Sequence, residues 1–180
     1  KKNLDGALRM LHNLEGHVDL DVYGPIEDAS YWRSCQAIAG RLPPNVKVVY
    51  CGQVEHAKVR TIFARYHMFL FPTHGENFGH VILEALAAGC PVLTSDQTPW
   101  RNLHEERSGW DYPLERSEAF REALNEALAM DDATFRLWSA AAVDRARRVL
   151  SDQNALASNR ELFLHATRGY SDVDPGKGRP

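Results

Sequence analysis

Phe71-Pro72-Thr73-His74-Gly75-Glu76-Asn77-Phe78-Gly79-His80-Val81-Ile82-Leu83-Glu84-Ala85-Leu86-Ala87-Ala88-Gly89-Cys90-Pro91-Val92 decides how the rest of the 180-residue chain is read. Met68-Phe69-Leu70-Phe71 is a continuous apolar run, the mark of a strand covered on both faces, and Pro72 stops it. Gly75 and Gly79 allow a tight turn and a close approach by a ligand, and Asn77 tolerates the same turn conformations. From Phe78 to Ala88 the apolar residues Val81, Ile82, Ala85 and Leu86 recur at helical spacing. Gly89 and Pro91 close that helix, and a new strand starts at Val92.

A helix that starts at the end of this loop points its free N–H groups and positive dipole end at residues 75–79, which makes a seat for a phosphate group. Glu76 lies just before the helix. Glu84 lies about 9 Å further along the axis from Phe78, at about 1.5 Å per residue. Carboxylates beside a phosphate repel it unless they bind neutral hydroxyls, so the fitting ligand carries hydroxyls on both sides of its phosphates. A nucleotide sugar has that layout.

Outward from this unit, Val18–Gly24 alternates as a strand, Glu27–Leu42 reads as a helix ended by Pro43-Pro44, and Val46–Cys51 is a second strand. Gly52-Gln53-Val54 then turns into a helix running to about Tyr66. After Val92-Leu93-Thr94 comes a polar loop, Ser95–Pro99, and Gly109–Tyr112 reads as a last short strand. Alternating strands and helices with near-continuous apolar strands predict an α/β fold, a Rossmann-like parallel sheet with helices on both faces. Ligands of such sheets sit beyond the C-terminal strand ends, where Gly24, Gly52, Glu76 and Ser95 all fall. From Ser117 onward the pattern is helical, with stripes Phe120, Leu124, Leu128, then Phe135, Trp138, Ala142, Val149, then Leu156, Phe163, Ala166, all read as core. Residues 174–180 read as a loose end.

Composition narrows the function classes. A net charge of -3 gives no basic surface for nucleic acid, and no segment is long and apolar enough to span a membrane. The three cysteines, Cys35, Cys51 and Cys90, are isolated, which points to a reduced, cytoplasmic protein rather than a disulfide scaffold. They form no metal motif. Asp19 and Asp21 spell Asp-x-Asp, but they share one face of a strand rather than a loop at its C-terminal end, so they read as structural and no metal site is assigned. Neither Gly-x-Gly-x-x-Gly nor Gly-x4-Gly-Lys-Ser/Thr occurs, which disfavours a dehydrogenase or a P-loop ATPase.

Two glutamates at this spacing mean little alone among 24 acidic residues. Pro72, Glu76, Phe78-Gly79, Glu84-Ala85, Ala87, Gly89 and Pro91-Val92 together, however, resemble the Glu-x7-Glu signature of retaining glycosyltransferases of the group 1 (family 4) type. The resemblance spans roughly Lys2 to Pro113. It implies one half of a GT-B fold, the C-terminal donor-binding domain, acting without a cofactor on a nucleotide diphosphate sugar. It also implies retention at the anomeric carbon, by a front-face reaction in which the leaving phosphate helps to accept the acceptor's proton.

Residue by residue, the resemblance implies that Glu84 hydrogen-bonds the ribose hydroxyls, and that Glu76 with the main chain of Asn77, Phe78 and Gly79 holds the sugar hydroxyls. The helix start at His80 and Val81, with Lys2, stabilises charge on the departing diphosphate. Glu76 and Lys2 are thus the candidate catalytic residues. Val54, beside Gln53, matches a residue whose main chain meets the nucleobase, and Gly24 lies where it can approach the diphosphate. His74 and His80 read as loop and backbone contributors rather than bases. Many family members carry Gly-Gly where this chain has Gln97-Thr98-Pro99-Trp100, which leaves the sugar and acceptor open.

The expected organisation is one nucleotide-sugar-binding domain over residues 1–168, including the C-terminal helices, and a flexible tail over 169–180. An N-terminal domain absent from this chain would hold the acceptor, a glycan, lipid or small molecule, and would make any peripheral membrane contact. Two alternatives stand beside this reading: a non-catalytic nucleotide-sugar-binding subunit of a two-chain transferase, and a nucleotide-sugar epimerase-like domain.

Overall fold

The computed structural model describes residues 1–152. The third helical stripe (Leu156, Phe163, Ala166), the domain limit at residue 168 and the loose end lie outside the described residues. Within them, helices and strands alternate: α1 (Leu4–Met10), β1 (Val18–Tyr23), α2 (Ala29–Ala39), β2 (Val46–Gly52), α3 (His56–Phe63), β3 (Phe69–Phe71), α4 (His80–Ala87), β4 (Val92–Ser95) and β5 (Gly109–Tyr112). Two helices follow, α5 (Ser117–Leu128) and α6 (Asp132–Ser151).

Every described strand pair is parallel, in keeping with the α/β, Rossmann-like expectation. The pairing is divided, however, into a two-stranded sheet, β1-β2, and a three-stranded sheet, β3-β4-β5. Neighbours on the second sheet are in strict register, Phe69 with Val92 and Val92 with Gly109. Gly109 is obligatory there: a Cβ on it would lie 2.0 Å from the Val92 carbonyl oxygen.

Alternation along the strands sorts the core into two layers. Leu93 and Trp110 join Leu8, Leu11, Leu14, Cys35, Phe120 and Leu124 on the side of α1, α2 and α5. Phe71 and Val92 join Ile82, Ala85, Leu86, Trp100, Leu103, Ala142 and Ala146 on the side of α4 and α6. The two layers meet at Trp138 of α6, whose ring stacks on Trp110 at 4.4 Å. Of the aromatic positions in the first two C-terminal stripes, Phe120 and Trp138 are buried in the core, whereas Phe135 is only half-buried, outside both layers and edge-on to the His67 ring. Leu128, expected on the Phe120 stripe, is instead 37% exposed at the last turn of α5.

Two element limits shift for physical reasons. The central helix begins at His80, not Phe78, because Gly79 caps it in a left-handed conformation at φ 76°. The helix expected over Glu27–Leu42 shortens to Ala29–Ala39, started by Asp28, whose carboxylate accepts from the N–H groups of Ser30 and Tyr31.

Candidate functional site

The loop between β3 and α4 is held from three directions. Below it, the Ser95 hydroxyl donates to the Thr73 carbonyl at 2.5 Å, and the Glu76 N–H donates to the Gln97 carbonyl at 3.0 Å. Behind it, Trp100 Nε1 donates to the Phe78 carbonyl at 2.6 Å. From the side, the start of the chain docks onto it: the His74 N–H and the Thr73 hydroxyl both donate to the Lys1 carbonyl, at 2.9 and 3.2 Å. Asn3 secures the same corner, its side-chain amide donating to the Pro72 carbonyl at 2.9 Å while its own backbone sits at φ 60°.

This bracing fixes Glu76 and brings Lys2 onto it. The Lys2 ammonium donates to Glu76 Oε1 and lies 4.9 Å over the Phe71 ring. Glu76 is only 13% exposed, Lys2 59%, so the cation stands at the solvent side of the carboxylate. At the adjoining helix start, the Gly79 carbonyl takes the N–H groups of Ile82 and Leu83, at 2.9 and 3.2 Å. The N–H groups of His80 and Val81 precede the first intrahelical acceptor and remain for a ligand. A side chain at Gly79 would be crowded as well as strained: at φ 76° its Cβ would stand 3.0 Å from Ile82 Cδ1 and 3.2 Å from the Trp100 indole nitrogen. One ammonium, a helix N-terminus and a nearly buried carboxylate thus share one loop, an arrangement that can hold an anion beside a hydroxyl-bearing group.

A second cluster lies at the ends of β1 and β2. Tyr23, Gly24, Pro25, Gln53 and Val54 line a cavity of about 290 Å³. Gly24 and Gly52 both take positive φ, 134° and 75°, and their backbones meet where the Gly24 N–H donates to the Gly52 carbonyl at 2.8 Å. The Tyr50 hydroxyl donates to the Gly24 carbonyl at 2.8 Å, closing the turn from beneath.

The two clusters are joined through α3 and α4. His56, two residues beyond Val54, has its Nδ1 3.3 Å from Glu84 Oε1, so Glu84 faces the segment that forms the cavity wall. The predicted positions accordingly fall into three neighbouring groups: Lys2, Glu76, Asn77, Phe78, Gly79, His80 and Val81; then Glu84; then Gly24, Gln53 and Val54. The side chains of His74 and His80 are exposed, in line with loop and backbone roles.

Several residues of the site escape sequence reading. Asn3, Gln97 and Trp100 act through backbone contacts 69, 21 and 22 residues away, which no local pattern encodes. His56 is legible only once α3 and α4 are packed together. Tyr66 crosses to β1, its hydroxyl donating to Asp21 Oδ2 at 2.5 Å and meeting the Tyr23 hydroxyl at 2.8 Å. Its phenol is pushed well above the ordinary tyrosine range, chiefly by burial and then by Asp21. Asp21 is thus a hydrogen-bond acceptor within the fold, while Asp19 is exposed beside His17. Among the described residues no group of three His, Cys, Asp or Glu side chains converges as a metal site would, and no helix is long and apolar enough to cross a membrane.

Comparison with known proteins identifies the family and the fold. Residues 1–155 match the family described as glycosyl transferases group 1. The chain is 33% identical over 112 residues to a phosphatidyl-myo-inositol mannosyltransferase of Mycobacterium leprae, an alignment covering 61% of this chain and 29% of that protein. Among solved structures it resembles sucrose-phosphate synthase from Thermosynechococcus elongatus, with a TM-score of 0.70 at 20% identity over 93% of this chain and 43% of the other. It also resembles Anabaena HepE in complex with UDP-glucose, with a TM-score of 0.70 at 18% identity over 89% of this chain and 45% of the other. The chain therefore spans less than half the length of each of these relatives. Matched over most of its length, this chain belongs to the group 1 glycosyltransferases of GT-B fold.

Proposed function

We propose that this chain is the C-terminal, donor-holding part of a retaining glycosyltransferase that moves a sugar from a nucleoside diphosphate sugar to an acceptor hydroxyl. The observation that carries the reading is a series of polar groups about α4. It runs from the Tyr23–Val54 cavity through Glu84 to the Lys2–Glu76 pair at the start of α4. A nucleoside diphosphate sugar laid along this series puts its base in the cavity and its ribose hydroxyls on Glu84. Its diphosphate then meets the His80 and Val81 N–H groups, and its sugar hydroxyls meet Glu76. Anabaena HepE holds UDP-glucose in its crystal structure, which supports a donor of this class here.

The chemistry follows from charge. Breaking the anomeric bond builds negative charge on the departing diphosphate, and preorganised donors facing that position stabilise it most where water is excluded. Lys2 and the start of α4 are such donors. With the Lys2 ammonium drawn onto the diphosphate, the Glu76 carboxylate is released to accept from sugar hydroxyls. No side-chain base is assigned, because the leaving phosphate oxygen can take the acceptor's proton on the same face. The positive field comes from the protein, so a chelator should leave donor affinity within about tenfold, or 1.4 kcal/mol.

The acceptor is assigned to a preceding domain that closes over residues 75–79, since transfer needs an acceptor hydroxyl held against the anomeric carbon. The experiment is to measure binding of a panel of nucleotide sugars, then transfer, with this chain alone and with its upstream domain restored. The reading expects donor binding by both and transfer only by the longer protein. Robust transfer by this chain alone would overturn the division of labour, and failure of every nucleotide sugar to bind the longer protein would overturn the reading itself.

A further inference from the structure

The segment from Ser95 to Trp100 lies along the loop that carries Glu76 and ties its main chain at three places. The Ser95 hydroxyl donates to the Thr73 carbonyl, the Glu76 N–H donates to the Gln97 carbonyl, and Trp100 Nε1 donates to the Phe78 carbonyl. The third tie is the work of a buried side chain. Trp100 is 3% exposed, and a buried indole N–H must find an acceptor. Its acceptor is a main-chain oxygen at 2.6 Å, 22 residues back and one residue ahead of the Gly79 cap of α4. Trp100 is itself fixed from two sides: its backbone N–H donates to the Thr98 hydroxyl at 3.2 Å, and its ring meets the Phe78 ring edge-on at 6.1 Å.

The Phe78–Gly79 peptide needs such a tie. Gly79 carries no Cβ, so φ values of either sign are open to it and the peptide before it can turn over at little steric cost. In a trans peptide the C=O and N–H point in opposite directions, so whatever fixes the Phe78 carbonyl also fixes the Gly79 N–H. Trp100 draws the carbonyl behind the loop, which sends the Gly79 N–H to the front. Among the described residues that N–H donates to no acceptor. Gly79 is left-handed, at φ 76° and ψ 57°, and His80 opens the α-helix. A left-handed residue followed by a right-handed one gathers three successive N–H groups, here those of Gly79, His80 and Val81, round one concavity that suits an anion.

We infer that Trp100 is a positioning residue for the donor diphosphate: its indole N–H holds the Phe78–Gly79 peptide in the orientation that adds the Gly79 N–H to those of His80 and Val81 in one phosphate cradle. The inference rests on the donor assignment above. It moves the Gly79 N–H from the sugar hydroxyls, where the family resemblance puts it, to the diphosphate. Turned over, the same peptide would aim a carbonyl oxygen at the phosphate and repel it. Trp100 is buried, so it acts through the Phe78 carbonyl rather than by touching the ligand.

The test titrates a nucleoside, its diphosphate and the corresponding nucleotide sugar into the native protein and into two variants. Trp100→Phe removes the N–H together with part of the ring. Replacing the same side chain by benzothienylalanine keeps the shape of the indole and removes the N–H alone, so it reports on the N–H even if the first variant folds poorly. Both variants should bind the diphosphate and the nucleotide sugar about tenfold more weakly, the worth of a hydrogen bond to a charged group, and should bind the nucleoside as the native protein does. The Gly79 amide proton should shift downfield in NMR spectra when the diphosphate binds the native protein, and should stay in place in the variants. An unchanged diphosphate affinity in the isosteric variant would overturn the inference, because the N–H would then be idle. A loss confined to the nucleotide sugar would overturn it by placing the effect on Glu76, and a loss shared by the nucleoside would reduce Trp100 to a support of the fold. A native protein that binds none of the three ligands would overturn the donor assignment and this inference with it, so the native titration tells the two failures apart.

Discussion

The two sheets of this chain are built from similar residues and sealed to different degrees. In β4, Val92, Leu93, Thr94 and Ser95 are all fully buried, whereas Val49 and Tyr50 in the middle of β2 are 38% and 40% exposed. The sealed sheet carries the loop that positions Glu76, and the open sheet carries the cavity at Tyr23–Val54. In the proposed donor arrangement, the contact to the reacting sugar rests on the sealed half, and the contact to the base on the open one. The difference teaches that burial here follows neighbours rather than composition: Val49 is as apolar as Val92, yet among the described residues it joins neither core layer.

The comparison can be broken most severely at Gly109. Gly109→Ala drives a Cβ into the Val92 carbonyl and is expected to cost about 3 kcal/mol or more, seen as loss of the cooperative urea transition. On the open sheet, Gly24→Ala meets nothing within 4 Å and carries only the strain of its positive φ, about 1–3 kcal/mol. Equal costs would remove the contrast. Large-to-small changes sharpen it further: Leu93→Ala should lose about 2–5 kcal/mol, and Val49→Ala less than about 0.5 kcal/mol, by the same urea titration.

The smallest effect is the pH dependence of a single helix cap in the open half. The Asp28 carboxyl lies below its ordinary value, mainly through its hydrogen bond with the Ser30 side chain and then through the N–H groups of Tyr31 and Ser30. A carboxylate whose folded value is depressed stabilises the fold above its unfolded value, and that contribution is lost as the pH falls through the folded value. The stability difference between the native chain and Asp28→Ala should therefore be constant near neutrality and shrink below about pH 4. A difference that grows on acidification would contradict the capping role.

The central unit was the most legible part of the sequence, because its information is local. An apolar run, two glycines, a helical stripe and a closing Gly89-Cys90-Pro91 specify strand, loop, helix and strand without distant partners. The spacing of Glu76 and Glu84 was readable for the same reason. The bracing of the loop was not, since Lys1, Asn3, Gln97 and Trp100 act through backbone atoms far away in sequence. Nor was the division of the sheet: strand periodicity reports which residues alternate, but says nothing about which edges find a partner. The first turn of α4 was misplaced by two residues because Gly79 serves as its cap rather than as a residue of that turn.

The most direct test of the proposed donor site separates its two carboxylates by titration calorimetry. A nucleoside diphosphate and the corresponding nucleotide sugar are each titrated into the native protein, Glu84→Gln and Glu76→Gln. Glu84→Gln should weaken both ligands by about 1–3 kcal/mol, the worth of a charge-assisted hydrogen bond. Glu76→Gln should weaken only the ligand that bears the sugar. Equal weakening of both ligands by Glu76→Gln would contradict the assignment of that carboxylate to the transferred sugar.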